Sequence, residues 1–281
     1  MKQREGGTRT APTAFPPVAP ARLLLAPDRF SIAVPTPTVL ALHGFMGSGA
    51  DWRPVAERVS RPVLAPDLPG HGAAVGLADG AYTMDGAADR LVADLDRQRL
   101  DRVAVAGYSM GGRLALHLAL RSPDRVAALV LVSASPGLPT ADARAARRRL
   151  DAERAEAIRR DLPAFLDRWY RADLWGGLPE GTRRPLAARR AQNDPDELAR
   201  SLAGMGAGAQ PWHGDRVHEI RVPGLTVAGA RDARYVALSR ELASRSGLRA
   251  VLVPDAGHAL LTEAPGTLAS LLTDLLSSLD G

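Results

Sequence analysis

The chain has no cysteine, which excludes a disulfide framework and any thiolate-held metal site. It has a single lysine, Lys2, so nearly all of its positive charge is guanidinium. It lacks any apolar run near the roughly 18 residues that a membrane span requires. The first twenty residues carry basic side chains followed by Pro, Ala and Thr instead of a continuous apolar stretch, so they do not read as a secretory signal. The expectation is a cytoplasmic protein. A net charge of +5 raises nucleic acid as a partner. The arginines are, however, interspersed with acids along helical stretches, where i,i+4 pairing accounts for them. There is no basic tail, zinc-ligand spacing or aromatic RNA-binding signature. No nucleic acid is expected. Local use of arginine on a small anionic substrate stays open. Nothing in the sequence indicates an oligomeric state.

What is present is an alternation of strand and helix patterns. The 281 residues suit one large domain, or one domain carrying an insertion. Residues 1–22 read as a disordered leader containing Pro, Gly and Thr, and residues 23–34 as one or two edge strands. Continuous apolar runs at 38–42, 62–66, 103–106 and 126–132 read as buried strands. Asp51 is an expected N-cap for a short helix through Arg58, and Thr83 caps a helix over 84–98. This rhythm predicts an α/β fold with a mostly parallel sheet and right-handed crossovers. It breaks after Ser133. Residues 137–211 contain no strand-like run, only helical stretches expected at 141–160, 162–170, 182–190 and 196–204. Strands resume at 224–229 and 250–253, with helices near 235–246 and 262–279. The reading is an α/β core, 23–136 and 212–281, with a helical cap, 137–211, inserted into it.

The chemistry centres on Gly107-Tyr108-Ser109-Met110-Gly111, which follows an apolar strand and opens an apolar helix. That is the context of a nucleophile elbow, whose tight turn lifts the serine clear of the sheet. A serine hydroxyl needs an imidazole to take its proton, and the imidazole needs a carboxylate to orient it. In this arrangement the chain order is serine, acid, histidine. His258 lies in the loop after the last expected strand, and Asp232 lies after the strand before it. Asp255 shares the loop of His258, where a turn-forming role suits it better. An oxyanion hole needs two backbone N–H groups, expected from Met110 and from Phe45 in His43-Gly44-Phe45. His43 and His71 read as structural.

These residues together are those of the α/β-hydrolase fold, and the resemblance covers the chain from about residue 35. Closer still, several stretches resemble the 2-succinyl-6-hydroxy-2,4-cyclohexadiene-1-carboxylate synthases of menaquinone biosynthesis. They are Leu42-His43-Gly44-Phe45-Met46-Gly47-Ser48, Asp67-Leu68-Pro69-Gly70-His71-Gly72 and Gly107 to Arg113. Ser135-Pro136-Gly137-Leu138, Arg144-Ala145-Ala146-Arg147, Arg168-Trp169-Tyr170 and Gly206 to Pro211 add to them. The resemblance implies a lyase that eliminates pyruvate from a cyclohexene tricarboxylate, with no metal and no organic cofactor. It implies that the triad serine removes a substrate proton instead of forming an acyl-enzyme. Arg113 and Arg147 match its carboxylate-binding positions, with Trp169 and Trp175 as apolar walls and Tyr108 beside the oxyanion hole. Arg147 stands in the run Arg147-Arg148-Arg149, which leaves its register open. The alternative is a serine hydrolase, a carboxylesterase or C–C bond hydrolase, with the same triad. A binding-only pseudoenzyme is disfavoured by the intact Ser109, Asp232 and His258.

Overall fold

The computed structural model describes residues 37–280, so the expected leader and first edge strands lie outside the described residues. Six strands form one parallel sheet: β1 (Val39–Leu42), β2 (Val63–Leu64), β3 (Val103–Tyr108), β4 (Val126–Val132), β5 (Gly224–Gly229) and β6 (Arg249–Val253). Their spatial order is β2-β1-β3-β4-β5-β6. The order reverses between β1 and β3, and a crevice opens at the carboxyl ends of strands on either side of such a switch. The loop at His43 and the turn at Ser109 both emerge there.

Apart from Thr226 in β5 and the exposed Arg249 at the start of the edge strand β6, the strands are apolar because both faces are covered. Side chains alternate across the sheet. Leu40, Leu42, Val105, Leu129 and Leu131 pack under α2 (Met84–Arg97), α3 (Met110–Arg121) and α8 (Ala233–Arg245). Val39, Ala41, Ala106, Val130 and Val132 pack on the other face against α1 (Arg53–Ala56) and α10 (Pro265–Ser277). Thr83 caps α2 as expected, its hydroxyl accepting from the Gly86 N–H at 3.0 Å.

Two local expectations are corrected. The helix expected at 262–279 is two helices, α9 (Leu260–Glu263) and α10. Pro265 has no N–H to continue the first helix and forces Ala264 out of the helical region, at φ −144° and ψ 50°. Asp51 is not an N-cap. Ser48 holds that position, before a 3-10 turn at Gly49–Trp52, and the Asp51 carboxylate is taken by Arg190 instead.

Between β4 and β5 lie four helices: α4 (Ala141–Arg160), α5 (Leu162–Arg171), α6 (Glu180–Arg190) and α7 (Pro195–Met205). Asp161 and Asp194 cap α5 and α7 by accepting backbone N–H bonds. These helices bury a small core of their own, including Ile158, Leu162, Leu166, Leu198 and Leu202, which continues onto Met46 and Ala259 of the α/β core. Among the described residues, no helix is long and apolar enough to cross a membrane.

Candidate active site

The turn from β3 into α3 leaves no room for side chains beside Ser109. A Cβ on Gly107 would sit 2.3 Å from the Gly111 carbonyl oxygen, and one on Gly111 would sit 2.2 Å from that of Leu42. Ser109 itself has φ 53° and ψ −108°, a strained conformation for a residue with a Cβ. Its N–H donates to Val132 O at 2.8 Å, which anchors the turn to β4. The strain faces the hydroxyl away from the helix and toward the imidazole of His258.

His258 Nε2 is 3.2 Å from Ser109 Oγ, and its Nδ1 is 2.9 Å from Asp232 Oδ2. The imidazole and its carboxylate partner are buried together: the His258 side chain is 1% exposed and that of Asp232 8%. With Nδ1 as the donor to Asp232, Nε2 is left as the acceptor for the serine proton. Tyr235 touches both Asp232 and His258. Asp232 caps α8 by accepting the Tyr235 N–H at 3.2 Å, and the Tyr235 ring packs 4.6 Å from the imidazole. Asp255 is exposed with φ 55°, a turn residue without a contact to the triad.

The loop after β1 comes alongside. Gly44 lies against the Tyr108 ring, where a Cβ would meet its carbon at 2.9 Å. Among the described residues, neither the Phe45 N–H nor the Met110 N–H donates to a protein acceptor, which leaves both free to receive a developing oxyanion. The loop is braced by its histidines. His43 Nε2 accepts the Leu68 N–H at 2.9 Å, and His71 Nε2 accepts the Met46 N–H at 3.0 Å. Acceptance requires neutral rings, and burial pushes both imidazoles down from their ordinary values.

Two cavities meet at Ser109. One, of about 600 Å³, is lined by Phe45, Met110, Arg113, Arg147, Trp169 and Trp175 among others. Arg113 donates from Nη1 to Met205 O at 2.8 Å and to Gln210 Oε1 at 3.3 Å, which steers its remaining donors toward the cavity. Burial pushes its guanidinium down to about 10, still charged at neutral pH. Arg147 donates from Nε to Asp151 at 2.8 Å, whereas Arg148 is turned away onto Gly208 O. The register within the arginine run is thereby defined. The second cavity, of about 530 Å³, is lined by Tyr108, Tyr170, Arg190 and His258, and shares Phe45, Ser109, Trp169 and Trp175 with the first. The Trp175 ring meets the His258 ring edge-on at 5.3 Å. Tyr108 is thus in the second cavity, beside the oxyanion loop.

Sequence reasoning missed the Asp51–Arg190 pair, because its members are 139 residues apart and belong to different layers. It also missed Tyr235, Asp151 and Arg154. The last two carried a legible signal: with Arg147 they stand at i, i+4 and i+7, on one face of α4. Among the described residues, no group of three or more His, Asp or Glu side chains is arranged to hold a metal ion.

Residues 37–265 match the family described as alpha/beta hydrolase fold. A protein of Bacillus subtilis is 36% identical over 248 residues, covering 86% of this chain and 90% of the relative. The 2-succinyl-6-hydroxy-2,4-cyclohexadiene-1-carboxylate synthase of Pectobacterium atrosepticum is 33% identical, covering 88% of this chain and 96% of its own. Among solved structures, MenH from S. aureus superposes with a TM-score of 0.83 at 26% identity, over 89% of this chain and 97% of that one. By fold, by triad order and by near full-length identity, the chain belongs to the α/β-hydrolase family and, within it, to the 2-succinyl-6-hydroxy-2,4-cyclohexadiene-1-carboxylate synthases.

Proposed function

We propose that this protein is a carbon–oxygen lyase of menaquinone biosynthesis that eliminates pyruvate from 2-succinyl-5-enolpyruvyl-6-hydroxy-3-cyclohexene-1-carboxylate. The observation that carries the reading is the pairing of a complete triad with a cavity whose wall presents Arg113 and Arg147. The triad alone suits any serine hydrolase. The guanidinium wall selects a substrate with several carboxylates, which planar forks bind bidentately.

In this mechanism His258 accepts the Ser109 proton as the serine oxygen removes a proton from the substrate ring. The electron pair released forms a new ring double bond, the existing ring double bond shifts by one position, and the ring bond to the enolpyruvyl oxygen breaks with its electron pair, so that the 3-cyclohexene becomes a 2,4-cyclohexadiene. The departing enolate takes up a proton and leaves as pyruvate. Asp232 keeps the imidazole in the tautomer that can accept and stabilises it once charged. The Phe45 and Met110 N–H groups stabilise negative charge that develops on a carbonyl or carboxylate conjugated with the reacting carbon. Trp169 and Trp175 exclude water, so that proton transfer competes well against hydrolysis. Every step uses side chains and backbone of this chain, with no cofactor. Residues 137–211 act as a cap over the substrate, and the location is cytoplasmic.

Pyruvate release is measured with a coupled lactate dehydrogenase, with 4-nitrophenyl esters assayed in parallel. Pyruvate release abolished by Ser109→Ala is the expected result. A KM raised in Arg113→Ala and Arg147→Ala more for the carboxylated substrate than for a neutral ester supports the anion wall. Ester cleavage without pyruvate overturns the lyase reading and makes the protein a serine hydrolase.

A further inference from the structure

The inner face of α4 carries more than Arg147. Asp151 and Arg154 follow it at one-turn and two-turn spacing, and all three side chains point the same way. The Asp151 side chain is 4% exposed, a burial that a lone carboxylate does not tolerate. It is engaged by Arg147 Nε at 2.8 Å and by the Gly208 N–H at 3.3 Å. Gly206 packs over it so closely that a Cβ there would sit 2.7 Å from a carboxylate oxygen. Arg154 approaches the same carboxylate only to 3.5 Å, longer than a normal hydrogen bond. Among the described residues, Asp151 is its one ion-pair partner, while its guanidinium lies over the Trp169 ring at 5.4 Å. Arg154 also lines the cavity that contains Ser109.

Charge points the same way. Arg113, Arg147 and Arg154 line this cavity, and among the described residues Asp151 is the one carboxylate that engages the latter two. Arg234 and Glu241, which also line it, cancel each other. The wall therefore carries a surplus of two positive charges. Burial and the neighbouring Arg147 both push the Arg154 guanidinium down, the strain of a cation whose counter-charge is incomplete.

We propose that Arg154 is a further substrate-binding residue, forming with Arg147 a two-armed clamp for a carboxylate, and that Asp151 is the positioning residue that holds the arms apart. This rests on the lyase reading for the identity of the carboxylate. Arg147 spends one N–H on Asp151 and keeps its outer edge free. Arg154 spends almost none of its five donors. The Trp169 ring, its centroid 5.4 Å from the Arg154 guanidinium carbon, supports that side chain, so less rotamer freedom is lost when the carboxylate docks.

The test compares Arg154→Ala, Arg154→Gln, Asp151→Asn and Arg149→Ala. The Gln variant keeps the stem packed on Trp169, and Arg149 is an exposed arginine on the same helix that controls for bulk charge. KM and kcat for pyruvate release are measured, together with affinity for the product 2-succinyl-6-hydroxy-2,4-cyclohexadiene-1-carboxylate by tryptophan fluorescence. Both Arg154 variants should raise KM and weaken product binding by about 10- to 100-fold, the range for a lost charge-assisted hydrogen bond, with a smaller effect on kcat. Asp151→Asn should also raise KM, and adding it to Arg154→Ala should cost less than the two separate effects combined. Arg154 variants that match Arg149→Ala in KM and product affinity overturn the proposal. Absence of pyruvate release from the unmodified protein instead overturns the lyase reading. The clamp is then read from cleavage of mono-4-nitrophenyl succinate against 4-nitrophenyl butyrate: a preference for the succinate ester that Arg154→Ala abolishes upholds it, and no preference overturns it.

Discussion

Asp51→Asn provides a quantitative test of how the helices between β4 and β5 are held to the rest of the fold. Arg190, the last residue of α6, donates to both oxygens of Asp51 in the segment after β1, Nη1 at 2.9 Å and Nη2 at 2.6 Å. The two side chains are 11% and 7% exposed, so neither can turn to water if its partner is lost. Burial alone would lower the Arg190 guanidinium, but its bonds to Asp51 prevail and raise it. Asparagine keeps the shape of Asp51, removes the charge and turns an amide NH2 toward a guanidinium. A buried ion pair broken from one side costs about 3–5 kcal/mol, most of it the stranded charge. Unfolding entropy of about 2.1 cal/mol/K per residue over this chain gives roughly 0.6 kcal/mol/K, so the melting temperature should fall by about 5–8 °C. The assay is urea and thermal unfolding followed by circular dichroism. Arg190→Met removes the stranded charge while filling the volume, so the Asp51→Asn, Arg190→Met double variant should recover about half of the loss or more. A double variant as unstable as the sum of the single losses, or a cost below about 1 kcal/mol for Asp51→Asn, refutes the reasoning.

Three further outcomes are expected. Ser109→Ala, Asp232→Asn and His258→Ala should each lower kcat for pyruvate release by about 10⁴-fold, and the Ser109→Ala, His258→Ala pair should be scarcely worse than either alone, because the three act as a unit; multiplicative losses would break that unit apart. Gly111→Ala should destabilise the fold by about 3 kcal/mol or more, since its Cβ would lie 2.2 Å from Leu42 O in backbone that cannot retreat, and an unchanged urea midpoint would contradict the elbow geometry. Stability should also fall as pH drops from about 6.5 toward 4. His43, His71, His117 and His213 are all pushed down by burial, His213 to about 4, so the unfolded chain binds protons that the folded one refuses. The slope is up to about 1.4 kcal/mol per pH unit for each histidine, and it should ease in His213→Leu; a melting temperature that is flat from pH 7 to 5 would rule this out.

How much was readable from the chain alone follows from the range of the interactions involved. The strands were legible because a sheet covered on both faces demands unbroken apolar runs, as in Val103 to Ala106 and Val126 to Val132. The elbow was legible because a turn this tight admits only glycine at 107 and 111, a constraint met within five residues. Asp232 and His258 could be placed because each follows a strand, and strand ends in a parallel sheet converge on one edge. The break of the final helix at Pro265 was a local signal passed over.

Sequence by itself therefore determined the fold class and which serine, aspartate and histidine come together, since strand ends and tight turns confine Ser109, Asp232 and His258 whatever lies elsewhere. Tertiary structure alone decided which arginine of the run 147–149 reaches the cavity. Arg147, Arg148 and Arg149 are chemically alike and adjacent, yet one lines the cavity, one binds Gly208 O and one is exposed. The 100° step between helix residues sets that difference, and only packing of α4 against its neighbours fixes where the steps begin. Arg190 and Asp51 are further apart still, and a buried charge pair leaves no pattern in either local stretch. What joins them is the packing of α6 against the segment after β1, which brings two charges out of water at the same place.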